Sequence, residues 1–393
     1  MSPRGKTYRT VIVALCVFAA TLVLAQQKKD RDFGSSLRDL KWDPARKTGV
    51  RAGNKTQRSQ SDELDEGDVI RTDSTLVVCE VLVADKQGRG INGLTGADFI
   101  ITDDDEPQEV ATFTLGDDPN KPRSIVLLMD HSGSQYPYLE KSIAAAKTLV
   151  KSLRPIDEMA IVSDNVELLV DYTSDKKKLA KALDRMKEKA DEGQFGMSWQ
   201  YSALMATLRE LVAGKQRPIV IFQTDGDELS RLRSGSSPKL EGAFREFSLV
   251  DLINAAERVR VTIYSVIPNF QIIGLPPEEQ VNRVKARLSQ VMVESIPVEQ
   301  FNRILTSYLK EQTALEGLSK LSGGWTEFLE KPEDASRIYT RILTDINRRY
   351  ILGFQPSNKT QDGKRHRLKI EIKNHPEYIV WGRKFYYAQC PSC

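Results

Sequence analysis

The chain has 393 residues, 57 of them basic and 54 acidic, with 40% hydrophobic residues. That length holds more than one domain and a full core, and the composition is that of neither a disordered chain nor a coiled coil. A net charge of +3 supplies no basic field of the kind nucleic acid requires, so nucleic acid is excluded as a partner class.

Arg4, Lys6 and Arg9 precede an apolar stretch at 11–24, about the length of a signal-peptide core and short for a membrane span. The small residues of Val23-Leu24-Ala25 predict cleavage after Ala25. Residues 1–25 therefore read as a signal peptide, and the protein as exported, periplasmic or secreted, with no membrane span after cleavage. An uncleaved N-terminal anchor is the alternative. Cys16 follows the bulky Leu15, which makes it a poor lipid-attachment site. Without the leader the chain carries 54 basic and 54 acidic residues. Residues 26–70 are polar and charged, and read as a flexible linker.

Residues 71–118 form an N-terminal β segment. Strands are predicted at 76–84, 99–102 and 110–115, with a turn at 85–90. Asp103-Asp104-Asp105-Glu106 is an acidic turn. It lacks the spaced oxygen ligands and distal Glu of a calcium loop, so it reads as a solvated hairpin tip. Cys79 lies in the apolar run and reads as a buried free thiol.

Residues 121–349 alternate strand and helix, which predicts an α/β unit. Strands are expected at 124–130, 158–163, 166–172, 218–224, 261–267 and 326–329. Helices are expected at 139–153, 175–186, 201–212, 249–259 and 332–347. The connection from 268 to 323 is long and carries two amphipathic segments, 278–293 and 298–321. Part of it is the helix before the last strand; the remainder reads as an insertion. It leaves the strand at 261–267 on the edge expected to carry ligand, so part of it should flank the site. A C-terminal β segment follows at 350–388, with strands at 350–354, 367–372 and 378–386. Two small separate sheets would each be marginal, so the two β flanks are expected to pair into one β-sandwich. The tail at 389–393 ends in Cys390-Pro391-Ser392-Cys393. Export permits a local disulfide there; a redox pair is the alternative, although no helix start lowers a thiol pKa at this position. The expected fold class is thus α/β, a doubly wound, mostly parallel sheet flanked by a sandwich.

Open parallel sheets bind ligands beyond the carboxyl ends of their strands. Asp130 ends one apolar strand and opens Asp130-His131-Ser132-Gly133-Ser134; Asp225 ends another. Ser198 lies between them, just before a predicted helix. If these meet, Asp130, Ser132, Ser134, Ser198 and Asp225 supply five oxygen donors, a set suited to Mg²⁺ or another divalent cation such as Mn²⁺ or Ca²⁺. His131, the middle residue, should point away. Gln135-Tyr136-Pro137-Tyr138 offers aromatic residues either to an interface or to helix-start packing.

Asp-x-Ser-x-Ser after an apolar strand, a hydroxyl before Tyr201, and Asp225-Gly226 together resemble the von Willebrand factor type A domain over about 121–349. The mature chain further resembles exported, acidobacterial-type proteins related to that domain. The residues that carry this are Lys86-Gln87-Gly88-Arg89, Gly93-Leu94-Thr95, Asp98-Phe99, Pro107-Gln108-Glu109, Gly323-Gly324, Tyr350-Ile351-Leu352-Gly353-Phe354 and Gly382-Arg383. The resemblance implies a metal-ion-dependent adhesion site. Ser132, Ser134 and Ser198 would bind the metal directly, and Asp130 and Asp225 largely through water. One position would remain for an exposed Asp or Glu of a protein partner. The family usually has Thr where this chain has Ser198, and Trp199 and Gln200 are bulkier than expected, which bears on metal affinity. The expectation is an exported, non-enzymatic, metal-dependent adhesion module. The alternatives are an envelope structural or assembly protein with a vestigial site and a metal-dependent hydrolase. The hydrolase needs a general base, and none of the three His residues sits in a catalytic constellation.

Overall fold

The computed structural model describes residues 37, 40–43, 48–51, 76–232, 247–291, 296–358 and 363–388. The expected leader and the Cys390–Cys393 tail lie outside the described residues. Among those described, no helix is long and apolar enough to cross a membrane.

The central sheet has the order β12-β11-β10-β7-β8-β9. Its strands are β7 (Ser124–Met129), β8 (Glu158–Ser163), β9 (Glu167–Thr173), β10 (Pro218–Gln223), β11 (Thr262–Ile267) and β12 (Thr326–Phe328). All neighbours are parallel except β8 and β9. β7 is buried at every position because both its faces are covered. Val126 and Leu128 face one core; Ile125, Leu127 and Met129 face the other. The first face is covered by α3 (Gln200–Thr207), α4 (Leu249–Arg258) and the far half of α6 (Val298–Ser322). The second is covered by α1 (Tyr136–Lys151), α2 (Lys176–Asp191) and α7 (Ala335–Arg348). Local chemistry sets the helix starts. The Asp175 carboxylate accepts from the N–H groups of Lys177 and Lys178 at α2, and Ser248 and Asp251 cap α4 reciprocally. α3 runs into a single π-type turn at Leu208–Val212.

The β flanks do pair. One four-stranded sheet has the order β15-β3-β13-β6 and the other β16-β14-β4-β5. The N-terminal flank supplies β3 (Val77–Ala84), β4 (Phe99–Asp103), β5 (Glu106–Gln108) and β6 (Thr112–Leu115). The C-terminal flank supplies β13 (Tyr350–Phe354), β14 (Arg365–Ile372), β15 (Ile379–Trp381) and β16 (Phe385–Tyr387). Their inner faces share a core of Val77, Cys79, Val81, Phe99, Ile101, Leu352, Phe354, Leu368 and Ile370. Cys79 is buried and free, and burial pushes its thiol up to about 12. β14 alternates exposed and buried along its whole length, as a sandwich strand should.

Three details depart from the sequence reading. Part of the expected linker is structured: β1 (Leu40–Asp43) and β2 (Thr48–Arg51) pair antiparallel, and Leu37 is 1% exposed in the α/β core. The strand expected at 378–386 is two, split at Gly382-Arg383, where Gly382 packs against Val81 and the Glu80 carbonyl. The amphipathic segment at 298–321 is one 25-residue helix with both roles. At 1.5 Å per residue α6 is about 37 Å long, while a six-residue strand spans about 20 Å. Its far half packs Leu315 and Leu318 on the sheet, and its near half overhangs the strand ends against α5 (Pro277–Val291) around Ile272, Val284 and Leu288.

Buried polar contacts fasten the α/β unit where the chain enters and leaves it. Arg123, just before β7, pairs with Asp157 and donates to Asn347 at the end of α7; both members of the pair are about 1% exposed or less. Arg154 adds bonds to Asp157 and to the carbonyls of Asp118 (2.7 Å) and Lys121 (2.6 Å). Arg349 is held by the Tyr264 hydroxyl, the Gly323 carbonyl and Asp345. Arg217 bridges to Glu80 of the sandwich at 2.7 Å. Burial raises the Asp157 carboxyl, but the bonds from Arg123 and Arg154 outweigh it and bring it down to about 2.

Asp157→Asn leaves the Arg123 guanidinium buried beside a neutral amide. It is expected to lower unfolding free energy at pH 7 by about 3–5 kcal/mol. The folded value lies below the unfolded value of about 3.9. The carboxylate's contribution is therefore full above the unfolded value and lost as pH falls toward 2. Urea melts of the two proteins should draw together as pH falls from about 4 to about 2; a gap that stays constant with pH would refute the charge-based account.

Candidate metal centre

β10, β7 and β8 run in step, with Gln223, Met129 and Ser163 side by side at their carboxyl ends. The residues that follow are therefore brought to one edge. Asp130 follows β7, Asp164 follows β8, and Thr224-Asp225 follow β10. The Asp130 N–H donates to the Gln223 carbonyl and the Thr224 N–H to the Val266 carbonyl, so the alignment extends past the strands.

Four of the five predicted residues join in one hydrogen-bonded chain. Asp130 Oδ1 accepts from the Ser132 N–H at 2.9 Å; the Ser132 and Ser134 hydroxyls lie 3.2 Å apart; Ser134 Oγ donates to Asp225 Oδ2 at 2.8 Å. Asp130 is fully buried, Ser132 is buried, Asp225 is half-buried and Ser134 is exposed, so the chain leads from the sheet to solvent. Ser198 sits on the adjoining loop. That loop is tied to the motif by backbone pairing of Gly196 with Ser132 and by the Gly196 N–H donating to the His131 carbonyl. Ser198 has φ +55°, and its N–H donates to Asp164 Oδ2 at 2.9 Å.

Asp164 joins the two loops, and the sequence reading missed it. Its carboxylate accepts from the backbone N–H groups of His131 (3.1 Å) and Ser198, and pairs with the His131 ring. His131 points away from the serines, as expected, and serves as a buried partner of Asp164. Gly196 is required beside it, because a Cβ there would lie 2.1 Å from Asp164 Oδ2. The signal was present: an acid follows the apolar strand 158–163 as Asp130 follows 124–129.

Two glutamines complete the site. Gln200 donates to Asp130 Oδ2 (2.8 Å) and Asp227 Oδ1 (2.6 Å), and the Thr224 hydroxyl also donates to Asp130 Oδ2 (3.0 Å). Gln135 donates to Ser134 Oγ (3.0 Å) and Asp225 Oδ2 (2.6 Å). Trp199 is buried in the core. These donors are neutral, and the carboxylates crowd one another. Burial, and then the charges of Asp164 and Asp225, push Asp130 well above the ordinary carboxylate range. Burial and the Asp227 charge raise Asp225 to about 6, against bonds from Ser134 and Gln135 that lower it. Oxygen-only donors with uncompensated negative charge fit a hard divalent cation.

A cavity of about 300 Å³ opens beside Ser134 and Asp225. Tyr138, Asp227 and Asn269 line it from the α/β unit, and Arg287 of α5 with Ser307, Tyr308 and Glu311 of α6 wall the far side. The overhanging helices thus flank the site. Burial, followed by the charges of Asp225 and Asp227, raises Glu311. Tyr136 is 47% exposed and meets Phe195 edge-on at 5.6 Å, beside the motif.

The family model for the von Willebrand factor type A domain matches residues 125–228. No curated protein sequence matches the chain. Among solved structures, an aerotolerance-related membrane protein from Bacteroides fragilis is similar at 13% identity and a TM-score of 0.34, over 58% of this chain and 99% of its own. The von Willebrand factor domain of a type V pilus tip protein from Porphyromonas gingivalis is similar at 13% identity and 0.35, over 58% and 95%. Manganese-loaded TRAP protein from Plasmodium vivax is similar at 14% identity and 0.30, over 75% and 100%.

Gly196→Ala forces a methyl group into the Asp164 carboxylate and is expected to free the 195–199 loop from it. Amide hydrogen exchange at Ser198 should speed up by tenfold or more, while protection in β7 and β10 stays. Unchanged exchange at Ser198 would show that Asp164 does not hold the loop.

Proposed function

We propose that this chain, which carries a von Willebrand factor type A domain, is an exported binding module. It holds a divalent cation, Mg²⁺ or another such as Mn²⁺ or Ca²⁺, at Asp130, Ser132, Ser134, Ser198 and Asp225, and captures an Asp or Glu side chain of a protein partner. The observation that carries this reading is the chain of oxygens from buried Asp130 through Ser132 and Ser134 to Asp225, at the carboxyl edge of a parallel sheet. When bound, the cation supplies a positive centre with a coordination position for an incoming carboxylate.

The chain's own residues do the rest. Asp130 anchors the motif from below, and the strand ends fix its backbone. Ser132 and Ser134 present hydroxyl lone pairs. Asp164 sets the distance between the motif and the Ser198 loop. Gln135 and Gln200 orient the carboxylates through their amides, so those oxygens are pre-arranged. One bridged carboxylate gives modest affinity, and the walls of the cavity and Tyr136 add contact area around it. The basic and apolar N-terminal stretch supports export.

The glutamine bonds also favour a second reading. Asp130 and Asp225 already accept short hydrogen bonds from neutral amides, as they would in an envelope assembly protein whose metal site is vestigial.

Ser134→Ala removes one exposed hydroxyl and is expected to weaken Mn²⁺ binding by about 10- to 100-fold without lowering the melting temperature. Capture of a partner from envelope extract should then require Mg²⁺ and fail with chelator, with Ser134→Ala and with Asp130→Ala. Chelator-insensitive capture by all three proteins would sink the metal-bridged reading in favour of assembly. Arg287→Ala, in the cavity wall, should alter capture several-fold and leave Mn²⁺ affinity unchanged; an altered Mn²⁺ affinity would place Arg287 in the ion site instead.

A further inference from the structure

The sandwich carries a second constellation, far from the sheet edge in sequence and independent of the reading above. Asp103 ends β4, Asp104 opens the turn to β5, and His366 lies on β14, which pairs with β4. One candidate ligand atom from each of Asp103, Asp104 and His366 falls within 4.8 Å of the other two. His366 Nδ1 is 2.8 Å from Asp104 Oδ2 and 3.7 Å from Asp103 Oδ1.

Each carboxylate has one oxygen fixed and one turned inward. Asp103 Oδ2 accepts from the Tyr386 hydroxyl at 2.6 Å, and Asp104 Oδ1 accepts from the Arg367 N–H at 2.8 Å. Tyr386 also stacks on the His366 ring at 5.2 Å, which sets its plane. The inward oxygen of Asp103 is the telling atom. Asp103 is 4% exposed, and Oδ1 is buried with no hydrogen-bond partner, facing His366. A buried carboxylate oxygen left in that state is costly, and a cation between it and the imidazole would satisfy it.

We propose that Asp103, Asp104 and His366 form a second cation site, suited to a first-row transition ion such as Zn²⁺. An imidazole beside two carboxylates favours that class over Mg²⁺ or Ca²⁺. Bonds of about 2.0–2.2 Å in tetrahedral geometry place ligand atoms roughly 3.3–3.6 Å apart. The observed 2.8 and 3.7 Å bracket that spacing, so small side-chain adjustments suffice. Asp104 is exposed, which leaves a path for the ion and a place for water. The site would tie the hairpin of β4 and β5 to β14 by side chains as well as by the strand ladder.

The test is Co²⁺ titration of the full chain, followed by visible absorption, for the wild type and three variants. Asp104→Asn keeps the turn, because Asn tolerates the left-handed φ of +47° at this position. His366→Gln removes the nitrogen ligand, and Asp130→Ala disables the sheet-edge site only. The expected result is one Co²⁺ with tetrahedral visible bands, weakened tenfold or more in Asp104→Asn and in His366→Gln and retained in Asp130→Ala. Zn²⁺ should displace it. Absence of those bands in the wild type, their loss in Asp130→Ala, or their persistence in both sandwich variants would overturn the proposal and leave His366 as an ion-pair partner only.

Discussion

Three carboxylates crowd one edge of the sheet because three neighbouring strands are parallel and in step. β10, β7 and β8 end level, and each is followed within two residues by an acid, Asp225, Asp130 and Asp164. Strands lie about 4.8 Å apart, so the charges cannot avoid one another without breaking the register that buries β7 on both faces. Other features of that edge answer this repulsion. Backbone N–H groups converge on Asp164, His131 pairs with it, and hydroxyls and amides surround Asp130 and Asp225. Asp227 and Glu311 add further negative charge at the rim.

The answer is uneven. Asp164 receives two backbone donors and an imidazole, and the Gly196 backbone seals it from above. Among the described residues, Asp130 and Asp225 receive only neutral side-chain donors and one backbone N–H each. The edge therefore divides into a closed half that positions loops and an open half whose two carboxyl groups have no positive partner and resist ionisation. That division separates a structural carboxylate from two available ones, although all three follow apolar strands in the same way.

Much of this was legible in the residues. Fully apolar strands ending in Asp130 and Asp225, and alternation in β14, state their faces directly, and the two β flanks had to find partners to be stable. What escaped notice did so for physical reasons. Asp164 precedes a tight turn, and turn chemistry alone explains an Asp there. Ser198 precedes a helix, but nothing local fixes the φ of +55° that it adopts; that depends on Asp164, 34 residues earlier. The double role of α6 is a matter of length against the sheet, which periodicity does not report. His366 meets Asp103 only through the pairing of β14 with β4. Leu37 lies in a mostly polar stretch whose few apolar residues show no period, and its burial follows from a distant surface, including the bond from its N–H to Glu210.

The sandwich and the open edge lie at opposite ends of the parallel strands. Arg217 and Arg260, which stand just before β10 and β11, contact Glu80 and Arg383 of the sandwich respectively, and β7 follows directly on the segment that leaves β6. A load applied at Ser134 or Asp225 and resisted by the sandwich therefore runs lengthwise through β7 and β10. Their hydrogen bonds are then strained together in shear, and none can open singly as in a zipper. Unfolding under tension is governed by the unfolding rate, and a ladder loaded all at once has no weak first bond. The architecture makes the path between the two ends a tie rod, with the hydrogen bonds of its strands loaded together along their length.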